Sequence, residues 1–133
     1  MIGLFNGVSI FAGFAGGLIL SVIGGWDMLL GVLVLLMVFD YVTGVLKGYF
    51  LKKLDSDMGF WGIVKKFIML IIVSMAYVLS NLVEPVLPLR EIVIVFFISN
   101  EGISILENAA VFIPIPDELK KALNKLREDN EKE

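Results

Sequence analysis

The residues best suited to chemistry lie in one stretch, Ile98–Ala110, which reads I-S-N-E-G-I-S-I-L-E-N-A-A. It carries two carboxylates and two carboxamides inside a mainly apolar run, residues 92–113. At 100° per residue, five polar side chains share an arc of about 120° on one helix; they are Asn100, Glu101, Ser104, Glu107 and Asn108. One charge at mid-bilayer costs roughly 2.5–3.5 kcal/mol. The pattern therefore predicts a membrane helix whose polar stripe faces protein or water.

A third acid, Asp40, lies in a separate apolar run and shares a helix face with Thr43 at i, i+3. Three acids on two helices are the pattern of a proton relay, but the chain has no histidine, and we expect no buried arginine to complete one. Catalysis by Glu101 with Glu107 is not favoured, because the sequence places no nucleophile, metal partner or phosphate loop near them. The third interpretation is assembly, in which copies of the chain bury these lumen or assembly residues together or turn them toward water.

Composition places the chain in a membrane. Of its 133 residues 58% are hydrophobic, and the mean hydropathy is +0.89, whereas a soluble domain is about 45–50% apolar. The absence of Cys and His excludes thiolate sites and removes the commonest metal ligand, so we expect no metal and no cofactor. No basic patch with interleaved aromatic residues indicates nucleic-acid binding. No Lys or Arg precedes the first apolar stretch, so we expect no signal peptide.

The predicted fold is an all-α membrane protein with three to four transmembrane helices and a short amphipathic C-terminal cytoplasmic helix. Apolar runs separated by charged or proline-containing segments define the boundaries. The predicted transmembrane helices are 28–50, 67–83 and 92–113. The remaining segments are a glycine-rich N-terminal helix, a basic cytoplasmic loop, an external turn and a charged cytoplasmic tail, at 1–26, 51–66, 84–91 and 114–133.

The N-terminal segment carries small residues every four positions: Ser9, Gly13, Gly17 and Ser21. This spacing lets helix backbones approach closely. The segment is either a helix that associates with another copy or faces a pore, or a helix that packs against another helix of the same chain. A third possibility is that residues 1–26 lie in the membrane interface instead of spanning it.

Basic residues indicate the orientation. The lysines that determine the predicted topology are Lys52, Lys53, Lys65, Lys66, Lys120 and Lys121. If the apolar runs alternate in direction, these lysines fall on one side, which is the cytoplasm by the positive-inside rule. We therefore predict a multi-pass protein of the bacterial cytoplasmic membrane with its C-terminus in the cytoplasm.

Three motifs resemble the toxin-secretion/phage-lysis holin family of phages and prophages of Gram-positive bacteria, which includes clostridial toxin-region holins. They are D-Y-V-T-G-V-L-K-G at 40–48, G-F-W-G-I-V-K-K at 59–66, and S-N-E-G-I-S-I-L-E-N at 99–108, which P-I-P-D-E-L-K-K-A-L follows. The resemblance covers about residues 28–128.

The resemblance implies a holin that forms homo-oligomers in the lipid bilayer and permeabilises it, without catalytic residues or a cofactor. An endolysin or a secreted toxin would then cross the membrane, with no direct contact implied. The alternatives from the residues alone are a small proton-coupled transporter subunit and a structural membrane scaffold. An antiholin is a further alternative within the family.

Overall fold

In the computed structural model, residues 2–83, 85 and 87–132 are described. These residues form five α-helices and no β-strand, which confirms the predicted all-α class. Parts of the predicted external turn, Glu84 and Val86, lie outside the described residues, as do Met1 and Glu133. The helices are α1 (Ile2–Ile23), α2 (Met28–Phe50), α3 (Ser56–Ser80), α4 (Leu89–Ala109) and α5 (Asp117–Lys132).

Three of the described helices are long and apolar enough to cross a membrane, as the fold prediction required. They are α1 over Asn6–Ile23, α2 over Met28–Phe50 and α3 over Ser56–Ser80. The fourth long helix, α4, carries four charged residues and is not one of these three. A membrane crossing by the predicted segment 92–113 stays a prediction.

Several helix boundaries differ from those predicted, and two of the differences have a clear local cause. Residues 56–66 belong to α3 and not to the basic loop, because the Asp55 carboxylate accepts the Asp57 N–H at 2.9 Å and starts the helix there. At its far end α4 stops at Ala109 instead of residue 113, since Pro114 disfavours helical geometry at Ile113.

The core lies where α2, α3 and α4 meet. α4 packs extensively against α2 and also against α3, whereas α2 and α3 contact each other less. The buried apolar side chains come from all three helices and from the end of α1: Ile23, Leu30, Leu33, Met37, Met69, Val73, Ile94 and Ile98. This arrangement makes α4 the central helix of the bundle.

Among the described residues, α1 packs mainly against α3, and its last residue, Ile23, also meets Arg90 of α4. Ile23, at its C-terminal end, is its one buried residue in the described part of the chain. Large side chains such as Ile10, Phe11 and Phe14 are more than two-thirds exposed. Most of the apolar surface of α1 is therefore uncovered within the monomer.

α5 folds back onto α4. A Cβ added to Gly102 of α4 would lie 3.0 Å from both terminal methyl carbons of Leu123, so the missing side chain is what lets the two helices come this close. Leu119 and Leu126, on the apolar stripe of α5, remain 47% and 42% exposed. The predicted amphipathic helix is thus present and extends from residue 117 to residue 132.

Candidate functional site

The site is an ion-pair network of three residues from three helices: Asp40 of α2, Lys66 of α3 and Glu101 of α4. The Lys66 Nζ lies 2.8 Å from Asp40 Oδ2 and 2.6 Å from Glu101 Oε2. The three side chains are 17%, 16% and 7% exposed, respectively. One ammonium group therefore joins two carboxylates that the fold would otherwise place together unpaired.

Asn108 and Thr43 extend the network toward the ends of α4 and α2. The Asn108 Nδ2 donates to Asp40 Oδ1 at 3.1 Å, to the Asp40 carbonyl oxygen at 3.3 Å and to Thr43 Oγ1 at 3.1 Å. The Thr43 hydroxyl in turn donates to the Phe39 carbonyl at 2.7 Å. Asp40 is thus held by a cation on one side and by a carboxamide on the other.

The structure divides the predicted polar stripe. Glu101 and Asn108 face the network, and Asn100 and Ser104 line a cavity beside it. Glu107 is exposed and makes no ion pair among the described residues. On a helix it lies about 120° from Glu101, which is enough to turn it away from α2 and α3. The roles predicted for these residues in a lumen or an assembly stay predictions.

Sequence reasoning assigned Lys66 to a basic loop and missed its place in the network. Ten residues separate it from the start of α3 at Ser56, which is about 15 Å along a helix. Its neighbour Lys65 lies on the same helix and is exposed. The signal that could have found Lys66 is the Asp55 cap, because a helix that starts there carries the lysine inward to the level of the acids.

A second buried ionic site joins the α1–α2 turn to the start of α4. Arg90 is 3% exposed, so the expectation of no buried arginine was wrong. Its guanidinium donates to the Ile23 carbonyl at 2.6 Å, the Gly25 carbonyl at 2.9 Å and Asp27 Oδ2 at 2.8 Å. The carbonyls at the end of α1 would otherwise have no helical partner. Arg90 therefore fixes the C-terminal end of α1 to the bundle.

Local chemistry at that turn fits this role. Gly24 has a φ of 94°, and a Cβ there would lie 2.7 Å from Arg90 Nε. Asp27 also caps α2, since its Oδ1 accepts the Leu30 N–H at 2.9 Å. The hydrogen bond from Arg90 holds the pKa of the Asp27 carboxyl below its ordinary value, against a smaller opposing effect of burial. The carboxylate is therefore the form that this turn stabilises.

The small residues predicted to make helix contacts have no partner helix at their central positions. A Cβ at Gly13 or Gly17 would meet no atom within 4 Å. Ser9 and Ser21 are exposed, and the Ser21 hydroxyl donates to the Leu18 carbonyl of its own helix. No other helix in the described part of the chain therefore packs against Gly13 or Gly17. Contact with another copy stays a prediction.

The predicted topology lysines other than Lys66 lie at the surface. Lys52 and Lys53 occupy the α2–α3 connection, and Lys65, Lys120 and Lys121 are exposed on helices. All five are exposed side chains that a lipid headgroup or water can reach. The side of the membrane on which they lie stays a prediction.

A cavity of about 520 Å³ lies between α2, α3 and α4 and extends from the α2–α3 connection to the ion-pair network. We call it the α2–α3 cavity. Its charged lining residues are Asp40, Lys53, Asp55, Lys65, Lys66 and Glu101. The network is therefore reachable from one end of the bundle, the end with the lysine-rich connection.

What the site can do is hold helices together. Among the described residues no buried side-chain nitrogen or oxygen lacks a hydrogen-bond partner, and no group of three His, Cys, Asp or Glu side chains could hold a metal ion. Removing one partner from a buried ion pair costs about 3–5 kcal/mol. The ion pairs of Asp40, Lys66 and Glu101 therefore stabilise the packing of α2, α3 and α4, and we call these three residues the latch.

Comparison with known proteins finds one matching family and several similar proteins. The model of the bacteriophage holin family matches residues 17–128. An uncharacterised Clostridium perfringens protein is 41% identical over 119 residues, covering 88% of each chain. A 14.9 kDa protein from the nagH 3′ region of the same species is 42% identical, covering 84% of this chain and 86% of its own. A probable holin of Bacillus phage phi105 is 30% identical, covering 77% and 76%. No solved structure matches.

Proposed function

Since the chain belongs to the bacteriophage holin family, we propose that it oligomerises in the bacterial cytoplasmic membrane and permeabilises it. The cargo that then crosses is an endolysin or a secreted toxin. The chain itself is a multi-pass membrane protein with a structural, non-enzymatic action. Its lysine-rich end and its C-terminus lie in the cytoplasm, in keeping with the positive-inside rule.

One observation supports the proposal: apolar helices surround an ion-pair network whose charges are paired within the monomer. Only 6% of the α1 span and 17% of the α2 and α3 spans is buried within the chain, so lipid or other copies must cover the rest. Inside the bundle, Asp40, Lys66 and Glu101 satisfy one another. A monomer of this kind is compatible with an intact bilayer.

The same network accounts for a transition to an open state. If α2, α3 and α4 separate in lipid, each exposed charge costs roughly 2.5–3.5 kcal/mol at mid-bilayer. If they separate where copies enclose water, the charges are hydrated and that cost disappears. Separation therefore avoids this cost only in an assembly large enough to hold water, which couples oligomerisation to opening.

The test is induction of the full chain in bacteria, alone and together with an endolysin that lacks its own export signal. We expect membrane depolarisation after a delay, followed by lysis only when the endolysin is present. Cells with endolysin alone are the control. Fully polarised, viable cells with high levels of membrane-inserted protein would overturn the proposal.

A proton-coupled transporter is the second candidate, and the α2–α3 cavity favours it because it connects Asp40 and Glu101 to one side of the bundle. Vesicles containing the purified protein separate the two functions. A transporter moves protons in response to a substrate and retains a large entrapped dye, whereas a holin releases that dye. Delayed lysis on co-expression with a second holin would instead indicate an antiholin.

A further inference from the structure

The α2–α3 cavity has more room than the ion-pair network requires, and two of its three lining lysines lie outside that network. Four of its lining residues are glycines, two on α2 and two on α3: Gly44, Gly48, Gly59 and Gly62. A Cβ at Gly62 would lie 3.9 Å from the Tyr41 ring, and one at Gly59 would lie 3.3 Å from the Tyr41 hydroxyl. Tyr41 of α2 therefore lies against the glycine face of α3, and the small residues leave room for the cavity beside it.

Two lysines at the mouth of the cavity have no anionic partner. Lys53 and Lys65 are exposed, and neither lies within 4.0 Å of a carboxylate in the described part of the chain. Asp55 also lines the mouth, where one of its oxygens accepts the Asp57 N–H as the α3 cap, and it offsets one of the two lysine charges. The third lysine, Lys66, is paired with two carboxylates. The excess positive charge of the cavity therefore lies at the mouth.

The interior differs from the mouth. Asn100 and Ser104 line it with polar groups that can donate to a hydroxyl or accept from one. The Asn100 carboxamide makes no hydrogen bond to another described residue. Met69 and Phe97 provide apolar wall. The cavity volume of about 520 Å³ lies within the 300–1,000 Å³ typical of small-molecule sites.

We propose that the α2–α3 cavity binds the headgroup of an anionic phospholipid. The phosphate lies between Lys53 and Lys65 at the mouth, and a polyol headgroup such as the glycerol of phosphatidylglycerol points inward to Asn100 and Ser104. The acyl chains stay in the bilayer along α2 and α3. Basic pockets between membrane helices on the cytoplasmic side are known to hold anionic headgroups. The inference rests on membrane residence and does not require permeabilisation.

The test measures lipid binding to the purified full chain in detergent by native mass spectrometry, with phosphatidylglycerol and phosphatidylcholine as probes. The variant is Lys53→Gln with Lys65→Gln, and the matched control is Lys120→Gln with Lys121→Gln. Each basic residue near an anionic lipid changes affinity about five-fold. We expect phosphatidylglycerol affinity to fall about thirty-fold in the variant and less than two-fold in the control. Circular dichroism checks that both variants keep their helices.

Three results would overturn the site. Equal losses in the two double variants would indicate general surface charge, and equal binding of the two lipids would indicate no headgroup recognition. Displacement of phosphatidylglycerol by inorganic phosphate alone would indicate a site for soluble anions. A chain that binds phosphatidylglycerol as expected but fails to permeabilise bacteria would refute the proposed holin function and leave this site intact.

Discussion

Replacing Lys66 by methionine tests whether the latch holds the bundle together. Methionine keeps the length of the aliphatic stem and removes the ammonium group that lies 2.8 Å from Asp40 and 2.6 Å from Glu101. Two carboxylates then face each other without a cation. The substitution therefore isolates the electrostatic contribution of the network from its packing.

The magnitude follows from burial. Removing one partner of a buried pair costs about 3–5 kcal/mol, and exposures of 7–17% in the three side chains favour the lower end. We expect the free energy of unfolding to fall by about 3 kcal/mol. Lys65→Met is the matched control on the same helix, and because Lys65 is exposed and makes no ion pair among the described residues, its cost should stay within about 0.5 kcal/mol.

The assay is reversible unfolding in phospholipid-free mixed micelles, followed by circular dichroism across a titration with denaturing detergent. A third variant combines Lys66→Met with Asp40→Asn and Glu101→Gln, which removes the uncompensated charges. It should recover at least half of the lost stability, since no buried charge is then left without a partner. In induced bacteria, Lys66→Met should shorten the delay before depolarisation.

Two results would refute this reasoning. If Lys66→Met and Lys65→Met unfold at the same detergent fraction, the network contributes no measurable stability. If the triple variant is less stable than Lys66→Met alone, the loss comes from packing and hydrogen bonds and not from unpaired carboxylates. In either case the latch would not explain a closed monomer.

Three further predictions concern the turn between α1 and α2 and the packing of α5. Gly24→Ala should destabilise the chain by at least about 1 kcal/mol more than Gly25→Ala, as measured by unfolding in micelles, because both have positive φ but only a Cβ at Gly24 meets the buried arginine. Because the pKa of Asp27 is lowered in the folded state, its contribution is complete above the ordinary carboxyl pKa of about 4 and is lost as pH falls below it. Wild type should therefore lose more stability than Asp27→Asn between pH 7 and pH 3, and parallel curves would contradict the ion pair. Gly102→Ala should loosen α5, seen as faster proteolysis after Lys120 in micelles, and Gly13→Ala, which meets open space, should leave the rate unchanged.

The helices and their class could be predicted because apolar runs of this length have few alternatives. The stripe on α4 was also predictable, since Glu101 and Asn108 share a face whatever surrounds them. What the pattern could not specify is which neighbour covers which part of the stripe. Glu107 lies at the edge of the same arc and is exposed, because α2 and α3 together cover less of α4 than the arc spans.

The two basic residues inside the bundle were missed for a related reason. A lysine or an arginine near the end of an apolar run is usually interfacial, since its side chain can extend to the headgroups. Lys66 and Arg90 depart from this rule because each binds a carboxylate that is distant in the sequence. Asp40 is 26 residues from Lys66, and Asp27 is 63 residues from Arg90. Such pairings depend on how helices are placed side by side, which local pattern does not determine.

The attachment of α1 has a mechanical consequence. The helix spans 22 residues, about 33 Å, and Arg90 fixes it at one end through Ile23 and Gly25. A tilt of about 10° at this pivot would move the opposite end by about 6 Å, which is roughly the rise of one helical turn. A small displacement at Arg90 would therefore produce a larger displacement at the opposite end of α1. Gly13 and Gly17, about 15 Å and 9 Å from the pivot, would move by about 2.6 Å and 1.6 Å, which would bring their open face against a neighbouring molecule without any rearrangement of the core.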